Sequence, residues 1–113
     1  MFDFERFIIA AKLAYRRCSS CAYSFEEVLQ VFQYYFETYE LIFGEAHPMI
    51  SIDQITRIIA KMPFVSDDSI IAPEDYKIII DQHFITNYQH CDYNINHFFS
   101  GRIREMRYFE TLY

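Results

Sequence analysis

The sequence predicts an all-α fold, a compact bundle of four to five helices forming one domain over residues 1–113, and three observations carry that expectation. The chain has only two glycines and three prolines, the residues that punctuate turns and strand-rich folds. Its apolar residues recur over long stretches with the 100° spacing of a helix. Two capping boxes, Ser24 with Glu27 and Ser51 with Gln54, mark helix starts.

The first helix is expected from about Phe2 to Arg17, with Phe4, Phe7, Ile8, Ala11, Ala14 and Tyr15 on its inner side. Phe2, Ile9 and Leu13 form a second apolar line on the opposite side, flanked by Arg6 and Arg16. An outer helix of a monomer usually carries one apolar stripe. The second line therefore means that this helix is either central in the bundle or covered by another chain.

After a connector at residues 18–23, Ser24 opens the second helix. Phe25, Val28, Leu29, Phe32, Tyr35, Phe36, Tyr39, Ile42 and Phe43 make a sustained stripe, and Gly44 is placed to end it. Glu26, Gln30, Gln33, Glu37 and Glu40 line the other face. Pro48 keeps residues 45–50 a loop. Ser51 starts a short third helix that Pro63 stops, and residues 63–72 form the longest irregular stretch. Pro73, Glu74 and Asp75 suit the first turn of a fourth helix, expected to reach about His90. Asp92 is the expected cap of a fifth, running from Tyr93 to the C-terminus with Gly101 as a weak point.

Composition bounds the function. The net charge is −6, and acids outnumber bases up to residue 100. Beyond it, Arg102, Arg104 and Arg107 face only Glu105 and Glu110. A globally acidic protein is repelled by phosphate backbones, so nucleic-acid binding would have to be local. No apolar run approaches the ~20 residues that span a bilayer, so no membrane partner is expected. The N-terminal residues carry acid where an export leader carries base, and three cysteines do not pair into a disulfide framework. A cytoplasmic protein is expected. Twelve phenylalanines and ten tyrosines exceed what so small a core holds, so some lie at the surface, which favours a binding protein.

The chemistry-bearing constellations are sparse. Cys18-Ser-Ser-Cys21 has the spacing of a zinc or redox pair. Further ligands by type, His90 and Cys91, are remote and adjacent, so the bland reading is two small residues in a helix connector. On the fourth helix His83, Asn87 and His90 share a face with Ile79, Ile80 and Phe84. That strip reads as a buried, hydrogen-bonded structural feature more readily than as a metal or catalytic site. His97 is expected to point away from the apolar stripe. On the fifth helix it joins Ser100, Arg104, Arg107 and Thr111, with Tyr108 alongside, opposite Ile95, Phe99, Met106 and Phe109. His97, Arg104, Arg107 and Tyr108 thus form a candidate anion or nucleic-acid patch, while Arg102 projects into the apolar stripe. A helix-turn-helix over residues 25–62 would offer only Arg57 and Lys61 from its recognition element, behind too long a loop.

No Gly-rich phosphate loop, nucleophile elbow, His-x-Glu or Glu-x-x-His pattern occurs. The expectation is a non-enzymatic interaction or regulatory protein with no cofactor, docking on a protein partner or on itself. The interface residues are Phe2, Ile9, Leu13, Glu26, Glu37 and Glu40. A basic, nucleic-acid-binding protein is one such partner. The alternatives are a nucleic-acid-associated factor using the C-terminal basic face and a zinc or redox module at Cys18 and Cys21.

Overall fold

The computed structural model describes residues 1–86 and 92–112. Asn87 and His90, the outer members of the expected polar strip, lie outside the described residues, as does Cys91. The described residues form six helices and one two-stranded hairpin.

Helix α1 spans Phe4–Arg17, α2 spans Phe25–Phe43 and α3 spans Ile52–Lys61. The Asp3 carboxylate caps α1 by accepting from the Arg6 amide at 3.1 Å. Both expected capping boxes are present: Ser24 and Glu27 exchange hydrogen bonds with each other's backbone, and so do Ser51 and Gln54. Gly44 closes α2 in the left-handed region at φ 71°, its amide donating to the Glu40 carbonyl. Fully buried Ala11 and Ala14 give α1 a smooth inner face, and α3 is the helix it packs against most extensively.

The irregular stretch contains β1, Val65–Ser66, paired antiparallel with β2, Ser69–Ile70. Asp67 and Asp68 make the turn between them, both left-handed at φ 52° and 65°. That pair of conformations is what a two-residue hairpin requires.

Helix α4, Asp75–Ile85, is shorter than expected. Thr86 is already extended (ψ 126°). The expected fifth helix is two helices: α5, Ile95–Phe98, and α6, Ile103–Leu112. Asn94, not Asp92, caps α5 by accepting from the Asn96 amide, while Asp92 accepts from the Asn94 amide one step earlier. Gly101 adopts φ 52° between α5 and α6, so the weak point is a break.

One buried cluster draws Phe7, Phe32, Phe36, Ile55, Ile59, Tyr76, Ile79, Ile80, Ile95 and Phe98 from α1 to α5. Its aromatic centre is dense: Phe7 lies 4.9 Å from Phe32 and 5.1 Å from Phe36 between ring centroids. Buried tyrosines reach carbonyls across the fold. Tyr23 donates to Ile71 and Tyr35 to Tyr93, each at 2.7 Å, and Tyr76 donates to Met62. These three tyrosines thereby serve both as core and as ties across the fold.

His47, which no sequence pattern singles out, ties the 45–50 loop to α5. Its Nδ1 faces the Pro48 carbonyl at 2.7 Å and its Nε2 accepts from the Ile95 amide at 2.9 Å. Those contacts place the proton on Nδ1 and keep the ring neutral. Burial, the largest influence, lowers its pKa below the ordinary value.

Candidate docking surface

Helix α6 is turned opposite to expectation. Arg104 and Arg107 are 5% and 4% exposed, whereas Met106, Phe109 and Leu112 are 52%, 62% and 49% exposed. The candidate anion patch of His97, Arg104, Arg107 and Tyr108 therefore does not form an open basic face. Arg104 lies with its guanidinium 5.6 Å from the Phe64 ring and 5.2 Å from the Phe99 ring, and it donates to the Phe99 carbonyl at 3.1 Å. Cation–π contact with two rings offsets part of its desolvation. Arg107 pairs with the Glu110 carboxylate. Tyr108 is half-buried against Phe64. His97 is half-buried with its ring centroid 6.2 Å from that of His83, so it also turns inward. Arg102, expected inside, is instead exposed and pairs with Glu105 at 2.8 Å.

The physical reason is the break at Gly101. An unbroken helix would carry the phase of Ile95 and Phe99 through to Met106 and Phe109. Four residues of non-helical backbone reset that phase, and Arg104, Arg107 and Tyr108 take the inner side.

The outward residues of α6 and the β1–β2 hairpin enclose an open groove of about 540 Å³. Met106, Phe109 and Leu112 recur every three residues along its α6 wall, and Val65 faces them from the hairpin. Asp67, Glu105 and Glu110 stand on this lining against the single cation Arg102, with Asp68 next to Asp67 at the turn. The lining is thus largely apolar with a net acidic edge: Glu105 is paired with Arg102 and Glu110 with Arg107, while Asp67 makes no ion pair among the described residues.

Of the expected interface residues, Phe2, Glu37 and Glu40 line one shallow pocket, while Ile9, Leu13 and Glu26 lie apart from it. Phe2 is not part of an open stripe: its ring stacks on Phe36 at 4.0 Å and joins the core margin. Ile9 and Leu13 do face outward, 67% and 46% exposed. Around them stand exposed Arg6, Lys12 and Arg16, none of which makes an ion pair among the described residues. Arg17 is held by Asp53 at 2.9 Å. On α2, Glu40 meets the N-terminal amine at 3.5 Å and Glu37 accepts from the Gln33 amide at 2.8 Å. Glu26 lies about 16 Å further along the helix at 1.5 Å per residue, so these three acids do not make one site.

Cys18 and Cys21 sit against α3. The Cys18 thiol points at the Ala14 and Thr56 carbonyls, at 3.7 and 3.9 Å, and Cys21 at the Ile59 carbonyl, at 3.9 Å. Burial pushes the Cys18 thiol pKa up, and the neighbouring Cys21 adds to it, the reverse of an activated thiolate. Among the described residues no three His, Cys, Asp or Glu side chains converge as a metal site, and no helix is long and apolar enough to cross a membrane.

His83 is completely buried beneath Phe84, Tyr93 and Phe98, with ring centroids 5.8, 5.4 and 4.9 Å away. Its pKa falls to about 4, chiefly through burial and then through His97 and Arg107. It behaves as a neutral core group.

Comparison of the chain with protein-family models, with curated proteins and with solved structures gives no match.

Proposed function

We propose that this chain is a non-enzymatic interaction protein whose work is to dock on a protein partner through the groove between the β1–β2 hairpin and α6. The observation that carries this reading is the inversion of α6, which sinks two arginines into the protein and leaves Met106, Phe109 and Leu112 outside. Burying arginine while exposing a phenylalanine opposes the ordinary partition of side chains. The arrangement is economical when a second protein covers the apolar ridge.

The occupant that suits the groove is an amphipathic helix with a cationic flank. Three apolar side chains at three-residue spacing match the anchors of a helix laid along them. The acidic rim attracts lysine or arginine beside those anchors and repels an acidic segment. A basic, nucleic-acid-binding protein and a second copy of this chain are both partners that could supply such a helix. The reading that this chain itself holds nucleic acid loses its main support, because Arg104 and Arg107 are committed to internal contacts. The cytoplasm is the proposed setting, since a reducing compartment suits unpaired Cys18 and Cys21.

Two labelled peptides test it, both helical with the same apolar anchors, one flanked by lysine and the other by glutamate. Fluorescence anisotropy should show binding of the lysine peptide that weakens at least tenfold with Phe109→Asp and fades with added salt. Equal affinity for the two peptides, or binding indifferent to Phe109→Asp, would overturn the assignment.

A further inference from the structure

We infer that the chain itself supplies a helix of this description, and that the outer face of α1 on one copy docks into the α6–hairpin groove of the next. The inference rests on the groove being a docking surface and goes further by naming a second copy as occupant. The outer face of α1 presents Ile9 and Leu13, one turn apart, between Lys12 and Arg16 on one side and Arg6 on the other, with Glu5 the one acid among these three cations. The groove presents Met106 and Phe109 between Asp67, Glu105 and Glu110. Apolar anchor meets apolar ridge, and a net cationic face meets a net acidic edge. On that edge Asp67 makes no ion pair among the described residues, and Glu105 and Glu110 can exchange their arginine partners.

Charge selects this pairing over the symmetric ones. Two α1 faces brought together would oppose Arg6, Lys12 and Arg16 to their own copies. Two grooves brought together would oppose Asp67, Glu105 and Glu110 in the same way. Glu5 on the α1 face and Arg102 in the groove temper these repulsions, but each surface keeps a net charge of one sign. Like net charges across an interface are unfavourable, so the crossed arrangement is the one that joins a net positive face to a net negative one. The two surfaces share no residue, and α1 packs on α2 and α3 while α6 packs on α4 and α5. One copy can therefore offer both at once. A contact between unlike surfaces is heterologous and propagates into rings or open chains.

Sedimentation velocity over a concentration series provides the test, with Ile9→Asp and Phe109→Asp as exposed substitutions and Leu13→Asp as a second α1 variant. Circular dichroism verifies that each is folded. The wild-type chain should associate with increasing concentration and dissociate as salt is added. Each variant alone should associate at least tenfold more weakly, because one of its two surfaces is blocked. An equimolar mixture of Ile9→Asp and Phe109→Asp should form a one-to-one dimer that grows no further, since the intact α1 of the second fits the intact groove of the first. A wild-type chain that stays monomeric, a mixture that stays monomeric, or an association that survives Phe109→Asp overturns the inference. If the wild-type chain stays monomeric yet its groove still takes the lysine-flanked peptide, self-docking fails and the protein-docking function stands. If the peptide is refused as well, both fail.

Discussion

The rings of His83 and His97 lie 6.2 Å apart beneath α6, with Arg107 among the charges that act on His83. One histidine comes from α4 and the other from α5, on opposite sides of residues 87–91. Two imidazoles and a guanidinium in one partly desolvated space cannot all be cationic without mutual repulsion. His83, completely buried, is held neutral.

Acid should therefore weaken the fold. The unfolded chain takes up a proton at His83 near pH 6.5, whereas the folded chain refuses it until about pH 4. Between those values the unfolded state binds more protons, so stability falls as pH falls, by roughly 1.4 kcal/mol per pH unit for a fully resisting site. Burial of His47 acts in the same direction. Urea midpoints at pH 7 and pH 5 should differ by about 2 kcal/mol in free energy, with a smaller difference in His83→Gln. Direct NMR titration of His83 provides a second readout. A ring that titrates above 6.5, or a fold strengthened by acid, would show that a carboxylate faces it instead.

Phe32 is wholly buried, with Phe7 and Phe36 at 4.9 and 6.1 Å between centroids. Phe32→Ala removes the ring at the junction of α1 and α2 and leaves a cavity, so it should cost ~3–5 kcal/mol. Thermal or chemical denaturation measures it. A shift near zero would place Phe32 outside the core.

Local signals and long-range packing were not equally legible in the sequence. The start and end of α2 could be read because Ser24, Glu27 and Gly44 act on their own neighbours, and a capping box or left-handed glycine works wherever the helix goes. The phase of α6 could not. It depends on how far the chain rotates through residues 99–102, and a helical wheel carries no information across a break. The same limit hid the meeting of His83 with His97 and the role of His47, whose partners Pro48 and Ile95 belong to a loop and a distant helix start. Phe2 misled for a related reason: it precedes α1, so its helical angle has no meaning, and its ring folds back onto Phe36. Ile9 and Leu13, inside a regular helix, came out where the wheel put them.

Arg104 offers a test of structural against binding roles. Arg104→Ala would strip the Phe99 carbonyl of its donor and remove the guanidinium from between the Phe64 and Phe99 rings. A loss of about 1–3 kcal/mol is expected from the unsatisfied carbonyl alone. Arg104→Glu should be worse, because it places an acid among aromatic faces. Denaturation curves of both variants decide the matter. Unchanged stability together with lost RNA or DNA binding would restore the surface patch that the buried geometry argues against.

The Cys18 thiol should react slowly. Its raised pKa leaves less thiolate at neutral pH than a free cysteine has, and its sulfur is turned toward backbone carbonyls. Timed alkylation with iodoacetamide, native against urea-unfolded, should show protection of Cys18 in the folded state. Faster reaction in the folded protein would identify an activated thiol and revive the redox reading of the Cys18–Cys21 pair.

Asp67 and Asp68 hold adjacent left-handed conformations at φ 52° and 65°, a geometry that asparagine followed by glycine adopts with far less strain. Left-handed backbone disfavours residues with a Cβ by on the order of 1 kcal/mol each. Replacing the pair, Asp67→Asn with Asp68→Gly, should therefore stabilise the protein by about 1 kcal/mol and raise its melting temperature by roughly 4 °C. The same change removes the Asp67 carboxylate from the groove edge and that of Asp68 beside it, while leaving Met106 and Phe109 in place. If the rim steers a cationic helix, the more stable variant should bind the lysine-flanked peptide more weakly, with a smaller salt dependence. Calorimetry and peptide titration on the one variant separate the two effects. A variant that melts lower would mean the turn is not strained as described, and one that binds with undiminished affinity would remove the acidic rim from the docking surface.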